Sequence, residues 1–183
     1  MAEAMFREEF SEQGEAEDQN IALWKLDYVV FLLGSGFPPE ALEFRRKAGT
    51  ALRNRGYNII VMEELDGAPI EGDSKELANE KFRRILKNYR PNLFLILVSQ
   101  SLPAASGVTY EIATLVERHG IKKASSMIRM CVKRGVKMNR VYPTYVRELE
   151  EIVIRVYDDD FDGMLSVLEN TIIDSMTQAH RTP

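Results

Sequence analysis

Short apolar runs alternate with amphipathic segments along most of the chain. Residues 27–33 (DYVVFLL) are a β-branched and aromatic run that ends at Gly34, which predicts a buried first strand. Four further runs predict strands over residues 57–62, 93–98, 127–132 and 152–156. The segments between them place apolar residues at helical spacing, so the pattern predicts alternating strands and helices.

Several residues mark where the predicted helices begin. Pro39 and Glu40 open the first helix, because proline tolerates the first turn and glutamate favours the positive end of the helix dipole. Asp73 and Glu76 have the spacing of a capping box, which predicts Asp73 as the N-cap of the second helix. The first helix has its predicted apolar stripe at Ala41, Phe44, Ala48 and Leu52. Later helices are predicted over residues 107–119 and 161–176.

The alternation of apolar strands with amphipathic helices predicts a parallel sheet that helices cover on both faces. We expect an α/β fold of the flavodoxin-like type, in which a doubly wound five-stranded parallel sheet is the middle of three layers. The strand order of that type is 2-1-3-4-5, and ligands bind where the order reverses, between strands one and three. Residues 34–37 and 99–107 would wall that crevice.

Length and composition fit one globular domain. The chain has 183 residues, of which 45% are hydrophobic and 28% are charged. No apolar run exceeds six residues, whereas a membrane-spanning helix needs about 20, so we expect no membrane partner. The N-terminus lacks the pattern of a secretory signal, and the single cysteine, Cys131, fits a reducing compartment. These features predict a cytoplasmic protein.

The N-terminus is strongly acidic, although the formal net charge of the whole chain is only −4. Residues 1–20 contain seven acidic residues and one basic residue, Arg7, and they lack a sustained apolar period. A segment of this kind buries too little apolar surface to order itself. We therefore predict a mobile acidic extension over residues 1–22 and a single domain over residues 23–183.

A later segment is strongly basic. Residues 117–147 contain nine lysines and arginines against one acid, Glu117. Such a segment suits an anion such as a nucleotide phosphate, a solvated face or a contact between subunits. No aromatic residue alternates with those cations before Tyr142, which argues against a dedicated nucleic-acid surface.

The first loop of the predicted crevice contains Gly34, Ser35 and Gly36, which allow the backbone to approach a ligand just before a helix start that favours anions. The loop is not a dinucleotide fingerprint, because the third glycine would fall at Pro39, and it is not a Walker A loop. The two histidines of the chain are too few and too scattered for a zinc site. We expect neither a metal nor a cofactor.

In the second loop and the helix after it, Glu111 is the strongest candidate for catalysis. It is expected in the first turn or so of a helix that starts at the carboxyl end of a central strand. Capping explains Glu111 poorly. In a capping box the N-cap residue pairs with the residue three positions later, so an N-cap at Ser106 would pair with Thr109. Only an N-cap at Val108 would pair with Glu111, and valine is a poor N-cap. Its i+4 neighbour is Leu115, so a helical ion pair does not explain it either.

Two motifs carry a resemblance to a known family. The first is a strand–Gly-Ser-Gly-Phe–helix segment at residues 28–37, and the second is Ser-Gly-Val-Thr-Tyr-Glu-Ile-Ala at residues 106–113. Together they resemble the motifs of the nucleoside 2-deoxyribosyltransferase-like superfamily. The likeness covers most of residues 27–170 as a pattern. It implies that Glu111 is a nucleophile that attacks the anomeric carbon of a nucleoside. The implied substrate-binding residues are Gly34, Ser35, Gly36 and Phe37 at the base, Ser106 and Gly107 near the sugar, and Ser99 at the start of the second loop.

The resemblance leaves the acid partner of Glu111 open. Members of the superfamily often carry an aspartate just before the third strand, where this chain has Asn92. The acids after the second strand include Glu64, Asp66 and Asp73. Capping accounts for Asp73, so we select Asp66 as the second catalytic residue. Attack by Glu111 requires its ionised form, and we expect the helix start to keep its pKa from rising far.

The combined observations favour cleavage or transfer of the N-glycosidic bond of a small-molecule nucleoside or nucleotide. A TIR-like NAD hydrolase is one alternative, since TIR-like domains share this layout and place a glutamate similarly. A non-catalytic nucleotide-binding or sensor module is a second, favoured by Asn92 and the open acid partner. A protein-interaction domain that uses the acidic extension and the basic stretch is a third. The resemblance also implies a homo-oligomer.

Overall fold

A computed structural model describes residues 21, 23–34, 39–70, 73–99, 107–136 and 152–181. The strands are β1 (Val29–Gly34), β2 (Asn58–Val61), β3 (Leu93–Val98), β4 (Ile128–Lys133) and β5 (Val153–Tyr157). The helices are α1 (Pro39–Asn54), α2 (Lys75–Tyr89), α3 (Gly107–His119), α4 (Ile121–Met127) and α5 (Phe161–Arg181), with a 3-10 helix at Met62–Glu64.

All five strands are parallel and lie in one sheet, in the order β2-β1-β3-β4-β5. The predicted flavodoxin-like α/β fold and its strand order are therefore confirmed. Strands β1 and β3 are adjacent, and Gly34 pairs with Leu97 at the carboxyl end of the sheet. The helices that follow these two strands run away from that same edge, so the chain leaves a crevice where the strand order reverses.

The sheet separates two hydrophobic cores, which gives the predicted three layers. Helices α1 and α5 cover one face, and α2, α3 and α4 cover the other. The side chains of β1 and β3 alternate between these cores, which explains why both strands are almost continuously apolar. Across the described ranges, no helix is long and apolar enough to cross a bilayer.

Strand β5 differs from the expectation that helices cover both faces of every strand. Its side chains at Val153, Ile154 and Val156 are 40%, 39% and 51% exposed. The outer position alone does not cause this exposure, because β2 is the other outer strand and its Ile59 and Val61 are buried. The apolar pattern identified the strand correctly but did not reveal that it lies at an edge.

The N-cap of α2 is Ser74 rather than the predicted Asp73. Ser74 has an extended backbone and accepts a hydrogen bond from the backbone N–H of Leu77. The Asp73 carboxylate instead accepts from the backbone N–H of Ile70 and forms an ion pair with Lys81. The predicted capping box is therefore absent, because the residue three positions after Ser74 is Leu77, whereas Asp73 remains structural as expected.

Helix α4 was not predicted from the sequence. It begins directly after Gly120, whose φ of 76° ends α3 and allows a sharp change of direction. Only Ala124 and Ser125 of this short helix are buried. A helix that buries so few residues needs no apolar stripe, so the sequence between Gly120 and the fourth strand has little apolar periodicity.

Two sequence-based predictions lie largely or partly outside the described residues. They are the acidic extension, of which only Ile21 is described, and the second half of the basic stretch, beyond Val136. The described chain begins with helical residues around Trp24, whose ring stacks on that of His180 in α5 with centroids 4.2 Å apart.

Asn92 joins the starts of β1 and β3 at the amino edge of the sheet. Its side-chain oxygen accepts a hydrogen bond of 2.8 Å from the backbone N–H of Val29. The backbone N–H of Asn92 donates to the Val29 carbonyl oxygen, also at 2.8 Å. Asn92 therefore has a structural role, and it lies at the opposite edge of the sheet from the predicted crevice.

We expect Asn92→Ala to lower the free energy of unfolding by about 0.5–1.5 kcal/mol, since it removes the acceptor for the Val29 N–H. Asn92→Asp retains an acceptor oxygen at the same place and should lose less. Urea denaturation of both variants measures the difference. Equal losses in the two variants would show that this hydrogen bond does not matter for stability.

Candidate active site

The carboxyl edge of the sheet brings together residues from four separate segments. Strand β1 ends at Gly34 and is followed by α1, while β3 ends at Val98 and is followed by α3. The 3-10 helix follows β2, which lies beside β1. Side chains near the starts of α1 and α3 and from the 3-10 helix can therefore meet above the ends of the strands.

Glu111 is buried on the core-facing side of α3. It lies three residues after Val108 and four before Leu115, and both of those side chains are buried. Its own side chain is 9% exposed, and Oε2 has no hydrogen-bond partner among the described residues. A buried carboxyl oxygen without a hydrogen bond is costly, which makes this residue unusual on a core-facing position.

Arg45 is the charged residue that approaches this edge from α1. It is 1% exposed and lies on the buried stripe of that helix, four residues after Ala41 and four before Gly49. The absence of a side chain at Gly34 makes room for it. A Cβ atom there would lie 2.8 Å from Nη1 of Arg45 and 2.6 Å from the carbonyl oxygen of Leu97.

Glu63, in the 3-10 helix, is the partner of Arg45. The Arg45 guanidinium donates from Nη2 to Oε1 of Glu63, and the two side chains form an ion pair that is largely buried. Oε2 of Glu63 is buried and has no hydrogen-bond partner among the described residues. The site thus contains two buried carboxyl groups and one buried guanidinium.

The charge state of Glu111 follows from these surroundings. Burial, followed by the negative charge of Glu63, raises the pKa of Glu111 to about 8, and the positive charge of Arg45 opposes both effects. Arg45 is already paired with Glu63, so a second negative charge on Glu111 would have no cation of its own in this buried space. At neutral pH, Glu111 is therefore mainly a carboxylic acid.

The expectation that the helix start would hold down the pKa of Glu111 is wrong. Glu111 is the fifth residue of α3, and the first turn of that helix contains no acid. The field of a helix dipole falls off within the first turn, so it stabilises a carboxylate at this position only weakly. Desolvation therefore outweighs the dipole.

The structure places some of the predicted substrate-binding residues at this edge. Gly34 is the last residue of β1, Ser99 directly follows β3, and Gly107 is the first residue of α3. The remaining ones, Ser35, Gly36, Phe37 and Ser106, lie outside the described residues.

Asp66, selected from the sequence as the second catalytic residue, is exposed in a turn after the 3-10 helix. Its role stays a prediction, but the carboxylate that acts on the pKa of Glu111 is that of Glu63. Two signals in the sequence could have indicated the pair. Arg45 is a cation within a helical apolar stripe, and Glu63 comes two residues after the second strand.

The chemistry available at the site is that of acids, bases and fixed charges. Among the described residues, no group of three histidine, cysteine or carboxylate side chains could hold a metal ion. A carboxyl group whose pKa is raised can supply a proton, while a neighbouring carboxylate supplies a negative charge.

No family model matches the chain, and no curated protein matches its sequence. The likeness to the nucleoside 2-deoxyribosyltransferase-like superfamily therefore remains a resemblance, carried by the two loop motifs and by Glu111.

We expect Glu111→Gln to change how stability depends on pH. The pKa of Glu111 is about 8 in the folded chain, against an ordinary value of 4.5. Between these values the unfolded chain releases a proton that the folded chain keeps, so stability is highest below the lower value and falls as pH rises towards the higher one. Relative to the variant, the wild type should lose up to about 1.4 kcal/mol of unfolding free energy per pH unit across this window.

Urea denaturation at several pH values between about 5 and 8 measures this slope. Glu43→Gln is the control, because Glu43 is exposed on α1, and it should leave the pH dependence unchanged. A Glu111→Gln variant that follows the wild-type curve at every pH would contradict a buried carboxyl that retains its proton.

Proposed function

We propose that the chain cleaves or transfers the N-glycosidic bond of a nucleoside or nucleotide at the carboxyl edge of the sheet. The observation that carries the proposal is the buried Glu111 carboxyl, placed where the strand order reverses and beside the ionised Glu63. Ligands of doubly wound sheets bind at this place, and strongly perturbed carboxyl groups in such a position are candidates for catalysis.

The two carboxyl groups match the needs of glycosidic cleavage. Breaking the bond leaves positive charge on the anomeric carbon and electrons on the base nitrogen, so an acid and a negative charge both lower the barrier. In its protonated form Glu111 donates its proton to the departing base. Glu63, which is paired with Arg45, supplies negative charge to the oxocarbenium-like centre. Water or a second base then adds to the anomeric carbon, and the proton that this nucleophile releases returns to Glu111.

This role differs from nucleophilic attack by Glu111, which the resemblance implies and which stays a prediction. A nucleophile must be ionised, and a carboxyl group with a pKa of about 8 is ionised only to a small extent at neutral pH. The two roles have opposite pH dependences, so kinetics can separate them.

We expect Glu111→Gln to reduce release of free base about 10²–10⁴-fold, the usual contribution of a general acid. The assay measures base released from ribo- and deoxyribonucleosides, their monophosphates and NAD, with and without an acceptor base. Glu43→Gln is the matched control and should keep full activity. Ligand binding by Glu111→Gln should persist, because the amide has nearly the shape of the protonated carboxyl group.

Absence of base release from every compound in both conditions would contradict the proposal within that panel. Ligand binding without turnover in the wild type would favour the sensor module. Release from NAD alone would favour the TIR-like alternative.

The pH profile gives a further prediction. If Glu111 is the acid, kcat/KM falls as pH rises through about 8, where its proton is lost. Glu63→Gln removes a negative charge beside Glu111, so the falling limb should move to lower pH. A rate that instead rises through the same range would assign Glu111 the nucleophilic role.

A further inference from the structure

A second cleft lies at the amino edge of the sheet, the edge opposite Glu111. It has a volume of about 200 Å³ and lies between the ends of α2 and α3, the start of β3 and helix α4. Leu86 and Phe94 lie behind it in the core, and the partly buried Met127 contributes apolar surface to it. Arg90, Arg118 and Lys123 line it with positive charge.

The three cations come from three different elements. Arg90 is the C-cap of α2, Arg118 lies in the last turn of α3, and Lys123 lies in α4. Within the described ranges, none of the three forms a salt bridge. The acid next to Arg118 in sequence is Glu117, and it pairs with Arg83 on the neighbouring surface. The cleft therefore carries positive charge that no described carboxylate neutralises.

His119 also lines the cleft, and the positive charge there affects its pKa. Its pKa is lowered first by burial and then by the positive charges of Arg118 and Lys123. Those two side chains therefore act on the same point in space, although they belong to different helices. At neutral pH the imidazole is uncharged and can still donate or accept a hydrogen bond.

Helix dipoles do not account for the whole cluster. The carboxyl ends of α2 and α3 attract cations, which stabilises residues such as Arg118 by about 0.3–1 kcal/mol. Lys123, however, is the third residue of α4, so it lies at the positive end of its own helix. A cation at that position is disfavoured by the dipole, and a bound anion would offset both this effect and the repulsion among the cations.

We propose that this cleft binds a small phosphate-bearing molecule with at least two negative charges. Its phosphoryl oxygens would lie between Arg90, Arg118 and Lys123, and an attached apolar group would contact Met127. Three cations from separate directions suit a phosphoryl group, which presents several acceptor oxygens. The size of the cleft suits one small ligand rather than a nucleic-acid strand, which needs a longer track and stacking rings.

The proposal is independent of the glycosidic function, because the two sites lie at opposite edges of the sheet. Titration of the full chain with inorganic pyrophosphate, followed by calorimetry and by the melting temperature, is the test. We expect binding that weakens as the salt concentration rises, since salt screens exposed charges.

The variants Arg90→Asn, Arg118→Gln and Lys123→Gln should each weaken pyrophosphate binding about tenfold, the usual effect of losing one charge-assisted hydrogen bond. Arg90 has a φ of 45°, a left-handed conformation that asparagine also adopts readily, so Arg90→Asn should keep the helix cap while removing the charge. Arg46→Gln is the matched control, because Arg46 is an exposed arginine on α1 at the other face of the sheet, and it should bind as the wild type does.

Two further arms test the class of ligand and the place of binding. Adenosine diphosphate should bind at least as well as pyrophosphate, and adenosine should not bind this cleft. Glu111→Gln should bind pyrophosphate as the wild type does. Absence of pyrophosphate binding overturns the proposal, and so does an equal weakening of pyrophosphate binding in Arg46→Gln. It is also overturned if a single-stranded oligonucleotide binds more tightly than pyrophosphate and its binding responds to the same variants.

Discussion

The ion pair between Arg45 and Glu63 is the interaction on which the carboxyl edge of the sheet depends. It joins α1 to the segment after β2 and places a nearly fully buried guanidinium beside the end of β1. Two buried charges cost several kcal/mol of solvation each, so the loss of either partner would leave the other uncompensated. The lack of a side chain at Gly34 follows from the same constraint, because a Cβ atom would meet both Arg45 and the backbone of β3.

Glu111 keeps its proton mainly because it is buried, and the two charges of this pair shift its pKa in opposite directions. Arg45 can balance one negative charge, and Glu63 is bound to it directly. A second carboxylate in the same low-dielectric space would be unbalanced, so Glu111 holds its proton to a pKa of about 8. The same burial that disfavours the ionised form of Glu111 keeps the carboxyl group protonated at neutral pH.

The two edges of the sheet have opposite electrostatic character. The carboxyl edge has buried groups that balance one another, whereas the amino edge has a cleft lined by cations that no described acid neutralises. The alternation of strands and helices produces this division, because strand ends and helix starts meet at one edge, while helix ends and strand starts meet at the other. The two edges of one small sheet therefore differ chemically: one contains a buried ion pair beside a buried carboxyl group, and the other contains a cleft lined by cations.

The amino-acid sequence by itself determined the fold class and the strand order expected of that class, and it singled out Glu111 as a candidate. Apolar runs such as Leu93–Val98 can only be buried between two layers, so this information is local. Tertiary structure alone decided that Glu63 rather than Asp66 acts on Glu111, that Arg45 is buried, and that β5 is an exposed edge. These facts depend on residues from separate segments meeting in space, and burial and charge interactions, unlike periodicity, exist only once those segments are packed together.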